Sequence, residues 1–424
     1  MSNMAAAAVN RCPVHRVRTE CRGCGSRDLR KFLSLGPTPL ANSFLRKSDE
    51  FATEESFPLD VHFCEQCSLV QLVDVIDPEV LFRDYIYVTG TSDTMAAHNL
   101  EYAREVSELL GLAAGDLVTE IASNDGSLLK CFQPYGVRTV GVEPAVNLAK
   151  QAGDAGVETV NAFFNSETAA EVRKAYGPAR AVIGNNVLAH VDDTRDFLSG
   201  CAELIDDRGL VIIEAPYLRD LLDKLEYDTI YHEHLCYFSV SALMVLAEKA
   251  GLSIVRVDRK PVHGGSLRIY AARRSSQPEH APEVVAMADQ ERALGLTSLE
   301  RYRQLAAGVE ANRRALVGLL ESLRAEGRSI AGYGAPAKGN TLLNYCRIGT
   351  DLVPYTVDKN PMKVRLYTPG MHIPVLPVST LLERQPDYVL VLAWNFADEI
   401  MAQQQEYRRR GGRFIIPVPE PRVV

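Results

Sequence analysis

Short apolar runs alternate with amphipathic stretches through the middle of the chain. The runs are rich in β-branched residues and have the length of buried strands, while the segments between them repeat their apolar positions at helical spacing. The predicted strands are residues 117–122, 139–142, 181–183 and 210–214. This alternation is typical of βαβ units, and it predicts an α/β fold with a Rossmann-like, mostly parallel and doubly wound sheet.

A second alternation of the same kind lies nearer the C-terminus. A long amphipathic helix, predicted at about residues 296–325, precedes it, and a polar stretch with two prolines, residues 277–282, separates it from the first alternation. Its apolar runs are residues 329–334, 352–357 and 388–393. A short region rich in turns precedes both alternations. We therefore predict three domains, at residues 11–80, 81–285 and 286–424.

Composition and charge are those of a globular protein with more than one domain, and they argue against a membrane protein or a nucleic-acid-binding protein. The chain has 424 residues, enough for two or three domains, and 46% of them are hydrophobic, as in globular proteins with a sizeable core. The formal net charge of −8 argues against a general basic surface for nucleic acid or anionic lipid. No run approaches the roughly 18 apolar residues of a membrane span, and the N-terminus lacks the pattern of a signal peptide. We therefore expect a cytoplasmic protein that binds neither membranes nor nucleic acid.

Four of the nine cysteines form two CxxC pairs, CRGC and CEQC, in the first predicted domain. Each pair places two thiolates on one turn, and two such turns complete a tetrahedral site of the kind that binds structural zinc. A region this short has little core, so a metal would supply the missing cohesion. The predicted zinc ligands are Cys21, Cys24, Cys64 and Cys67, and Cys12 is left out. Free thiols and a redox CxxC are the alternatives.

The first predicted strand runs into the turn SNDG and then into a helix. A dinucleotide site would favour GxGxxG, because a pyrophosphate needs close backbone approach at a helix start. This turn has one glycine and an acidic side chain, so it favours a ligand without phosphate, such as the cationic S-adenosylmethionine. An acidic residue at the end of the next strand is placed to accept hydrogen bonds from an adenosyl ribose. The predicted cofactor-binding residues here are Glu120, Ser123, Asn124, Asp125, Gly126 and Glu143.

A later strand of the same sheet is followed by NNVLAH. At this edge of the sheet the reactive end of a cofactor should meet the substrate. Asn185 and Asn186 are therefore candidate cofactor contacts, although turn formation and helix capping would also account for them. His190 is a candidate for proton transfer, and a structural histidine at a helix start is the alternative.

The segment DTIYHEHLCYFS, residues 228–239, concentrates proton-transfer groups. Its HEH does not fit the HExxH pattern of zinc proteases. Forming a carbanion beside a ketone needs a base with a pKa near neutrality and donors to the developing oxyanion, which histidine and tyrosine supply. We therefore predict proton chemistry beside a carbonyl at Tyr231, Glu233 and His234. A metal bound by His232 and His234, and a solvated polar loop, are the alternatives.

Two further motifs indicate anion binding. In HGGSLR a double-glycine turn lies beside a cation, so His263 and Arg268 are candidates to contact a diphosphate or a sugar. In GYGAPAKGN, backbone N–H groups and Lys338 lie at a predicted helix start, where an anion is favoured. The alternatives are a simple turn before a strand in the first case and a fold without ligand in the second.

Together the motifs resemble one family, the S-adenosylmethionine-dependent C-methyltransferases that act on nucleotide-linked ketosugars in deoxysugar pathways of antibiotic-producing bacteria. The resemblance spans nearly the whole chain and rests on CRGCGS, LGPTPLAN, DYIY, EIASNDGSLL, GVEPAVNLA, NNVLAHV, EAPYL, IYHEHLCYFS, HGGSLR and GYGAPAKGNTLLNY. It implies a zinc-binding N-terminal domain, a central cofactor-binding Rossmann-like domain and a C-terminal domain of similar fold.

The same resemblance implies a substrate and a site. The substrate would be a TDP-4-keto-6-deoxyhexose, usually methylated at C3, beside the ketone. The implied catalytic residues are Tyr85, His190, Tyr231, Glu233 and His234. The residues implied to hold the TDP group are Lys338, Asn340 and Asp358. We expect His234 to remove the C3 proton, with Glu233 orienting it or acting as the alternative base. A tyrosine or His190 would then donate to the enolate oxygen.

Two other functions compete with this interpretation. One is an NAD(P)-dependent nucleotide-sugar oxidoreductase that uses the C-terminal fold, with purely structural cysteine pairs. The other is a nucleic-acid-binding zinc ribbon, which the net charge of −8 opposes. We expect the protein to be a monomer.

Overall fold

The computed structural model describes residues 14–83, 93–262 and 264–424. Two predicted site residues, Tyr85 and His263, lie outside these ranges, so their roles stay predictions. Within the described residues, the strands form four sheets, of two, four, seven and six strands.

The N-terminal region consists of antiparallel strands and a short 3-10 helix. Its elements are β1 (His15–Val17), β2 (Leu29–Thr38), a 3-10 helix (Ser48–Thr53), β3 (Phe57–Cys64), β4 (Val70–Leu72) and β5 (Asp74–Ile76). β1 pairs with β5, while β2, β3 and β4 pair in sequence order. A further strand, β11 (Cys236–Tyr237), pairs antiparallel with β4. The segment that carries His234 therefore completes the sheet of the N-terminal region.

The central region contains the seven-stranded sheet. The strands of this sheet are β6 (Leu117–Ile121), β7 (Arg138–Val142), β8 (Thr159–Val160), β9 (Ala179–Asn185), β10 (Ile205–Pro216), β12 (Leu252–Lys260) and β13 (Ser266–Arg273). The order across the sheet is β12-β13-β10-β9-β6-β7-β8. The strands from β6 to β10 run parallel, whereas β13 is antiparallel to both of its neighbours. The predicted mostly parallel, doubly wound sheet is confirmed.

Helices cover both faces of this sheet. They are α1 (Pro78–Phe82), α2 (Asp93–Leu110), α3 (Ser127–Phe132), α4 (Val146–Asp154), α5 (Ser166–Tyr176), α6 (Thr194–Leu204), α7 (Leu218–Lys224), α8 (Val240–Lys249) and α9 (Pro282–Ala293). Alternate residues of β6 point to opposite faces. Val118 packs in one core with Tyr102 and Leu128, while Leu117 belongs to the core that includes Phe197. Burial on both faces explains why the strand is a continuous apolar run.

The C-terminal region begins with a long helix and repeats the parallel pattern. Its elements are α10 (Leu299–Ala325), β14 (Ile330–Tyr333), α11 (Ala337–Cys346), β15 (Thr356–Asp358), β16 (Val375–Pro377), α12 (Thr380–Arg384), β17 (Tyr388–Val391), α13 (Ala397–Gln403), α14 (Gln405–Arg409), β18 (Arg413–Ile416) and β19 (Arg422–Val423). The sheet order is β16-β15-β14-β17-β18-β19, and only the β18–β19 pair is antiparallel.

One predicted strand begins later than expected. The apolar run at residues 352–357 becomes a strand only from Thr356. Pro354 interrupts the run, because proline has no N–H for a sheet and fixes its own φ. In the described part of the chain, no helix combines the length and the apolar character needed to cross a membrane.

Candidate active site and zinc site

The four predicted zinc ligands converge in space. All four sulfur atoms lie within 4.8 Å of one another, and Sγ–Sγ distances are 3.5 Å for Cys21–Cys67 and 3.6 Å for Cys24–Cys64. A tetrahedral zinc with bonds of about 2.3 Å requires Sγ–Sγ distances of about 3.8 Å. Hydrogen bonds from the Cys64 and Cys67 thiols lower the pKa of Cys21, which favours a thiolate. The geometry and the donor set therefore fit a closed, structural zinc site.

The turn after β6 folds around the carboxylate of Glu143. Glu143 Oε2 accepts the backbone N–H of Asn124 at 2.8 Å, and its Oε1 accepts the backbone N–H of Ala145 at 2.8 Å. Asn124 has a φ of +52° and Gly126 a φ of +74°. A Cβ at Gly126 would lie 2.8 Å from a methyl group of Val157, so this position requires glycine.

Three acidic residues lie together at this turn. Glu120 is buried, its Oε2 has no partner among the described residues, and burial next to the Asp125 and Glu143 carboxylates raises its pKa well above the usual value. Burial also raises the pKa of Glu143, although the backbone N–H groups of Ala145 and Asn124 oppose this. The Oγ of Ser123 is buried without a described partner. The Glu120 oxygen without a described partner and the neighbouring carboxyl groups fit a cationic ligand with hydroxyl and amino groups, as S-adenosylmethionine is.

The two predicted asparagines lie at the end of β9, beside this turn. Asn186 has a φ of +54°, and its N–H donates to the carbonyl of Glu214 at 2.7 Å. The Oδ1 of Asn185 is buried without a described partner. Asn186 therefore shapes the turn, while Asn185 offers an unsatisfied acceptor next to the acidic residues.

Tyr231 and His234 form a hydrogen-bonded pair. His234 Nδ1 lies 2.7 Å from the carbonyl oxygen of Thr229. A carbonyl can only accept, so Nδ1 carries the proton and Nε2 of the neutral ring holds the lone pair. The Tyr231 hydroxyl lies 2.7 Å from Nε2 and donates to it. The described contacts therefore fix the tautomer of His234 and identify Nε2 as its basic atom.

His190 joins this pair. Its ring centroid lies 4.9 Å from that of His234, with an angle of 72° between the planes, and it lies 5.5 Å from the Phe82 ring. Burial lowers the pKa of His190 to about 4. The imidazole is therefore neutral near pH 7, and it adds no positive charge beside His234.

Glu233 and His232 point towards the N-terminal region. Asn42 Nδ2 donates to Glu233 Oε1 at 2.6 Å, and His232 Nε2 donates to the carbonyl of Pro58 at 3.1 Å. The predicted role of Glu233, as a residue that orients His234 or as the alternative base, stays a prediction. Over residues 14–83, 93–262 and 264–424, the cysteine cluster is the one group of three or more His, Cys, Asp or Glu side chains placed to hold a metal. The alternative of a metal bound by His232 and His234 has no third ligand there.

Arg268 lies in a buried ion-pair network. Its Nε donates to Glu214 at 2.8 Å, its Nη1 donates to Glu105 at 2.7 Å, and its guanidinium lies 3.8 Å from the centre of the Tyr102 ring. His98 Nε2 lies 2.9 Å from the second Glu214 oxygen. Arg268 is thus held between two carboxylates in this structure, and its contact with substrate stays a prediction.

The predicted nucleotide-binding residues surround the turn after β14. The Lys338 ammonium lies 4.7 Å from the centre of the Trp394 ring, and Trp394 Nε1 donates to Asp228 at 2.6 Å. Asp358 closes the turn, because its two oxygens accept the backbone N–H groups of Ala335 and Asn360, each at 2.7 Å.

Asn340 connects the C-terminal region to the N-terminal region. Its Nδ2 donates to the carbonyl of Ala41 at 2.7 Å, and its Oδ1 is buried without a described partner. Ala41 precedes Asn42, whose side chain contacts Glu233. All three regions of the chain therefore meet beside the Tyr231–His234 pair.

The structure adds residues to which the sequence analysis assigned no role. Lys363 is half-buried and donates to the carbonyl of Ala335 at 2.8 Å. Desolvation lowers its pKa, and the carboxylates of Asp358 and Glu233 oppose this. Burial raises the pKa of Glu226 to about 7, and its Oε1 has no described partner. Asn42 is the last residue of the LGPTPLAN motif, so the sequence did contain a signal that could have identified it. The contacts of the others depend on distant parts of the chain.

Comparison with known proteins identifies the family. Three family models match, a zinc binding domain at residues 21–82, a methyltransferase domain at residues 95–257 and a C-methyltransferase C-terminal domain at residues 261–419. The C-methyltransferase NovU of Streptomyces niveus is 41% identical over 405 residues, which is 96% of each chain.

Solved methyltransferase structures resemble part of the chain at low identity. Magnesium protoporphyrin IX methyltransferase of Synechocystis, solved with bound S-adenosylmethionine, is 17% identical and covers 43% of this chain and 82% of its own, with a TM-score of 0.33. The CcbJ methyltransferase of Streptomyces caelestis is 16% identical and covers 41% and 89%, with a TM-score of 0.32. The match to NovU and the three family models place the chain in the S-adenosylmethionine-dependent C-methyltransferase family, with a zinc-binding region at its N-terminus.

Proposed function

We propose that this enzyme methylates C3 of a TDP-4-keto-6-deoxyhexose, the carbon beside the ketone, in the biosynthesis of a deoxysugar for a natural product. In this proposal residues 11–80 bind zinc, residues 81–285 bind the cofactor, and residues 286–424 bind the substrate nucleotide. The motif resemblance supplies the substrate class, and the family assignment favours methyl transfer over the oxidoreductase and the zinc ribbon.

The Tyr231–His234 pair is the observation that carries the proposal. Methylation at carbon needs a base for a C–H bond and a donor for the oxygen on which negative charge develops. His234 Nε2 carries the lone pair of the neutral tautomer, and the Tyr231 hydroxyl lies 2.7 Å from it. Methylation at oxygen or nitrogen would need neither the enolate nor its stabilising donor.

The proton movements follow from the tautomer. Nε2 has one lone pair, so the Tyr231 hydroxyl turns from Nε2 to the ketone oxygen as the substrate binds, and Nε2 then takes the proton from C3. That hydroxyl then donates to the enolate oxygen, while the Thr229 carbonyl holds the second ring proton. His190, neutral because burial lowers its pKa to about 4, does not repel the imidazolium that forms.

The residues at the end of β6 and β9 would hold the cofactor, which supplies an electrophilic methyl group when bound. Glu143 would meet the ribose hydroxyls, and Glu120 and Asp125 would face the positively charged end of the ligand. Lys338 would meet the diphosphate. Asp358 and Arg365 line an open cleft of about 640 Å³. A cleft of this volume has room for part of a nucleotide.

Deuterium exchange separates proton removal from methyl transfer. The enzyme is incubated in D₂O with a TDP-4-keto-6-deoxyhexose and no cofactor, and deuterium at C3 is followed by mass spectrometry. We expect exchange in the wild type and none in His234→Asn, because the asparagine amide still donates to Thr229 but offers no base. Tyr231→Phe should slow exchange strongly, since the enolate oxygen loses a donor.

Controls and a second assay complete the test. His62→Gln, outside the Tyr231–His234 pair, should exchange like the wild type, and His234→Asn should bind S-adenosylmethionine normally. With cofactor present, a panel of TDP-4-ketosugars should show one product heavier by one methylene. Near wild-type exchange in His234→Asn would remove His234 as the base, and no methylated product across the panel would refute the substrate class.

A further inference from the structure

Gln71 of β4 links the zinc ligands to their surroundings through a fully buried side chain. Its Nε2 donates to Sγ of Cys21 at 3.1 Å. Its Oε1 accepts the backbone N–H of Arg22 at 3.1 Å and the Arg22 Nη1 at 3.3 Å. A side chain that donates to a ligand and accepts from the ligand's neighbour orients the first cysteine pair, as outer residues of metal sites commonly do.

The backbone of Gln71 leads directly to the segment of His234. Gln71 lies opposite Cys236 in the β4–β11 ladder, and the N–H of Leu72 donates to the carbonyl of Leu235 at 2.9 Å. Leu235 and Cys236 are the two residues that follow His234. The strand that carries Gln71 thus fixes the backbone immediately after the predicted base.

Arg22 leads to the segment of His190. Its Nε donates to Asp192 at 3.0 Å, and its carbonyl accepts from the Thr194 hydroxyl at 3.4 Å. Asp192 lies two residues after His190. The N–H of Leu235 also donates to the carbonyl of Ala189 at 2.7 Å, which joins the two histidine segments to each other.

We propose that Gln71 is a positioning residue that couples the zinc ligands to the His190–His234 pair. Both histidine segments are anchored within a few bonds of Cys21, one through Arg22 and the other through β4. The zinc site thereby sets the 4.9 Å separation of the two rings while remaining outside the reaction. This inference rests on the proposed roles of the two histidines.

Gln71→Met tests the coupling because methionine keeps the length of the side chain and removes its hydrogen bonds to Cys21 and Arg22. Outer residues of metal sites typically contribute about 10- to 100-fold to metal affinity or activity. We expect zinc affinity, measured by competition with a chromogenic chelator, and kcat each to fall about tenfold. The Kd for S-adenosylmethionine and the KM for the TDP-sugar should stay within about twofold, because neither site contacts Gln71.

Leu33→Ala provides the matched control. Leu33 is a buried residue of β2, at the far edge of the same sheet, and it contacts neither the cysteines nor the histidine segments by any described hydrogen bond. This variant should lower the stability of the N-terminal region while leaving kcat near wild type under folding conditions. An equal loss of kcat in Leu33→Ala and Gln71→Met would show that general destabilisation is responsible, and would overturn the proposal.

Hydrogen exchange of the wild-type protein tests the coupling without substrate, so its outcome is independent of the proposed substrate and base. Removing zinc from the full chain with a chelator should raise exchange at residues 189–192 and 231–237. Protection at residues 117–121 and 138–142 of the central sheet, and the affinity for S-adenosylmethionine, should not change. Unchanged exchange in the two histidine segments would refute the coupling even if Gln71→Met fails to fold.

Discussion

The central and C-terminal sheets share an order but differ in charge at the corresponding turn. In both, the first strand lies between the second and the fourth, as β8-β7-β6-β9-β10 and as β16-β15-β14-β17-β18. The end of β6 and the turn after it carry the acidic groups of Glu120 and Asp125, with Glu143 beside them. The turn after β14 instead lies next to the amine groups of Lys338 and Lys363. One topology thus offers an acidic turn in one region and a basic turn in the other.

The difference teaches that strand order alone does not identify a ligand. The crevice at a strand switch point binds many ligands, and the side chains at its edge decide which. The acidic turn suits a sulfonium with an amino group, and the basic turn suits a diphosphate. Variants at each turn should therefore affect one ligand and leave the other unchanged.

Charge reversal at the basic turn should have the largest effect. Lys338→Glu places a carboxylate next to the proposed diphosphate and near Glu226 and Asp228. We expect the Kd for a TDP-sugar, measured by calorimetry, to rise by roughly 100-fold, or about 3 kcal/mol. The Kd for S-adenosylmethionine should not change. Equal weakening of both ligands would mean that the two turns are not separate sites. Lys249→Glu, on the exposed surface of α8, serves as the charge control.

Neutralising a carboxyl group at the acidic turn should weaken the binding of S-adenosylmethionine, by a smaller factor than the charge reversal weakens the binding of the TDP-sugar. Burial raises the pKa of Glu120 well above its usual value, and a bound cationic cofactor should lower that pKa, so cofactor binding should release protons. Glu120→Gln should abolish that release, detected by calorimetry in two buffers of different ionisation enthalpy. The Kd for S-adenosylmethionine should rise by roughly tenfold, about 1.4 kcal/mol, with the TDP-sugar unaffected. An exposed variant, Glu167→Gln, should bind and release protons like the wild type.

The smallest expected effect is a pH dependence at the basic turn. Burial raises the pKa of Glu226 to about 7, and the charged groups facing it are Lys338, Lys224, Asp228 and Asp220. Glu226 is therefore neutral below pH 7 and negative above it, where it competes with the diphosphate for Lys338. Between pH 6 and pH 8 the Kd for a TDP-sugar should rise by roughly threefold, under 1.4 kcal/mol. In Glu226→Gln this rise should be lost, and a rise that persists would assign it to another group.

Much of the fold could be predicted because its signals are local. Buried parallel strands leave continuous apolar runs, so β6, β7 and β14 are visible in the sequence. The spacing of the two CxxC pairs was enough to predict the zinc site. The single glycine of SNDG was enough to predict a ligand without phosphate. Pro354 shows the limit of this approach, because one residue without an N–H delayed a strand that apolar character alone had predicted.

The details of the site could not be predicted because they depend on contacts between distant residues. The Asn42–Glu233 bond joins positions 191 residues apart, and no local pattern reports it. The Thr229 carbonyl contacts Nδ1 of His234 at 2.7 Å, and a backbone acceptor of this kind leaves no signal in the sequence. The pairing of Gln71 with Cys236 likewise exists only after the sheet has formed.

The position of β11 constrains how this enzyme can be recombined. Cys236 and Tyr237 follow the central region in chain order, but their ladder partners are Gln71 and Val70. A chimera that took its N-terminal segment from one relative and its remainder from another would cut through this shared sheet. Such chimeras should fold only when the N-terminal segment and the residues corresponding to 232–238 come from the same relative. These two stretches of chain must therefore be exchanged together.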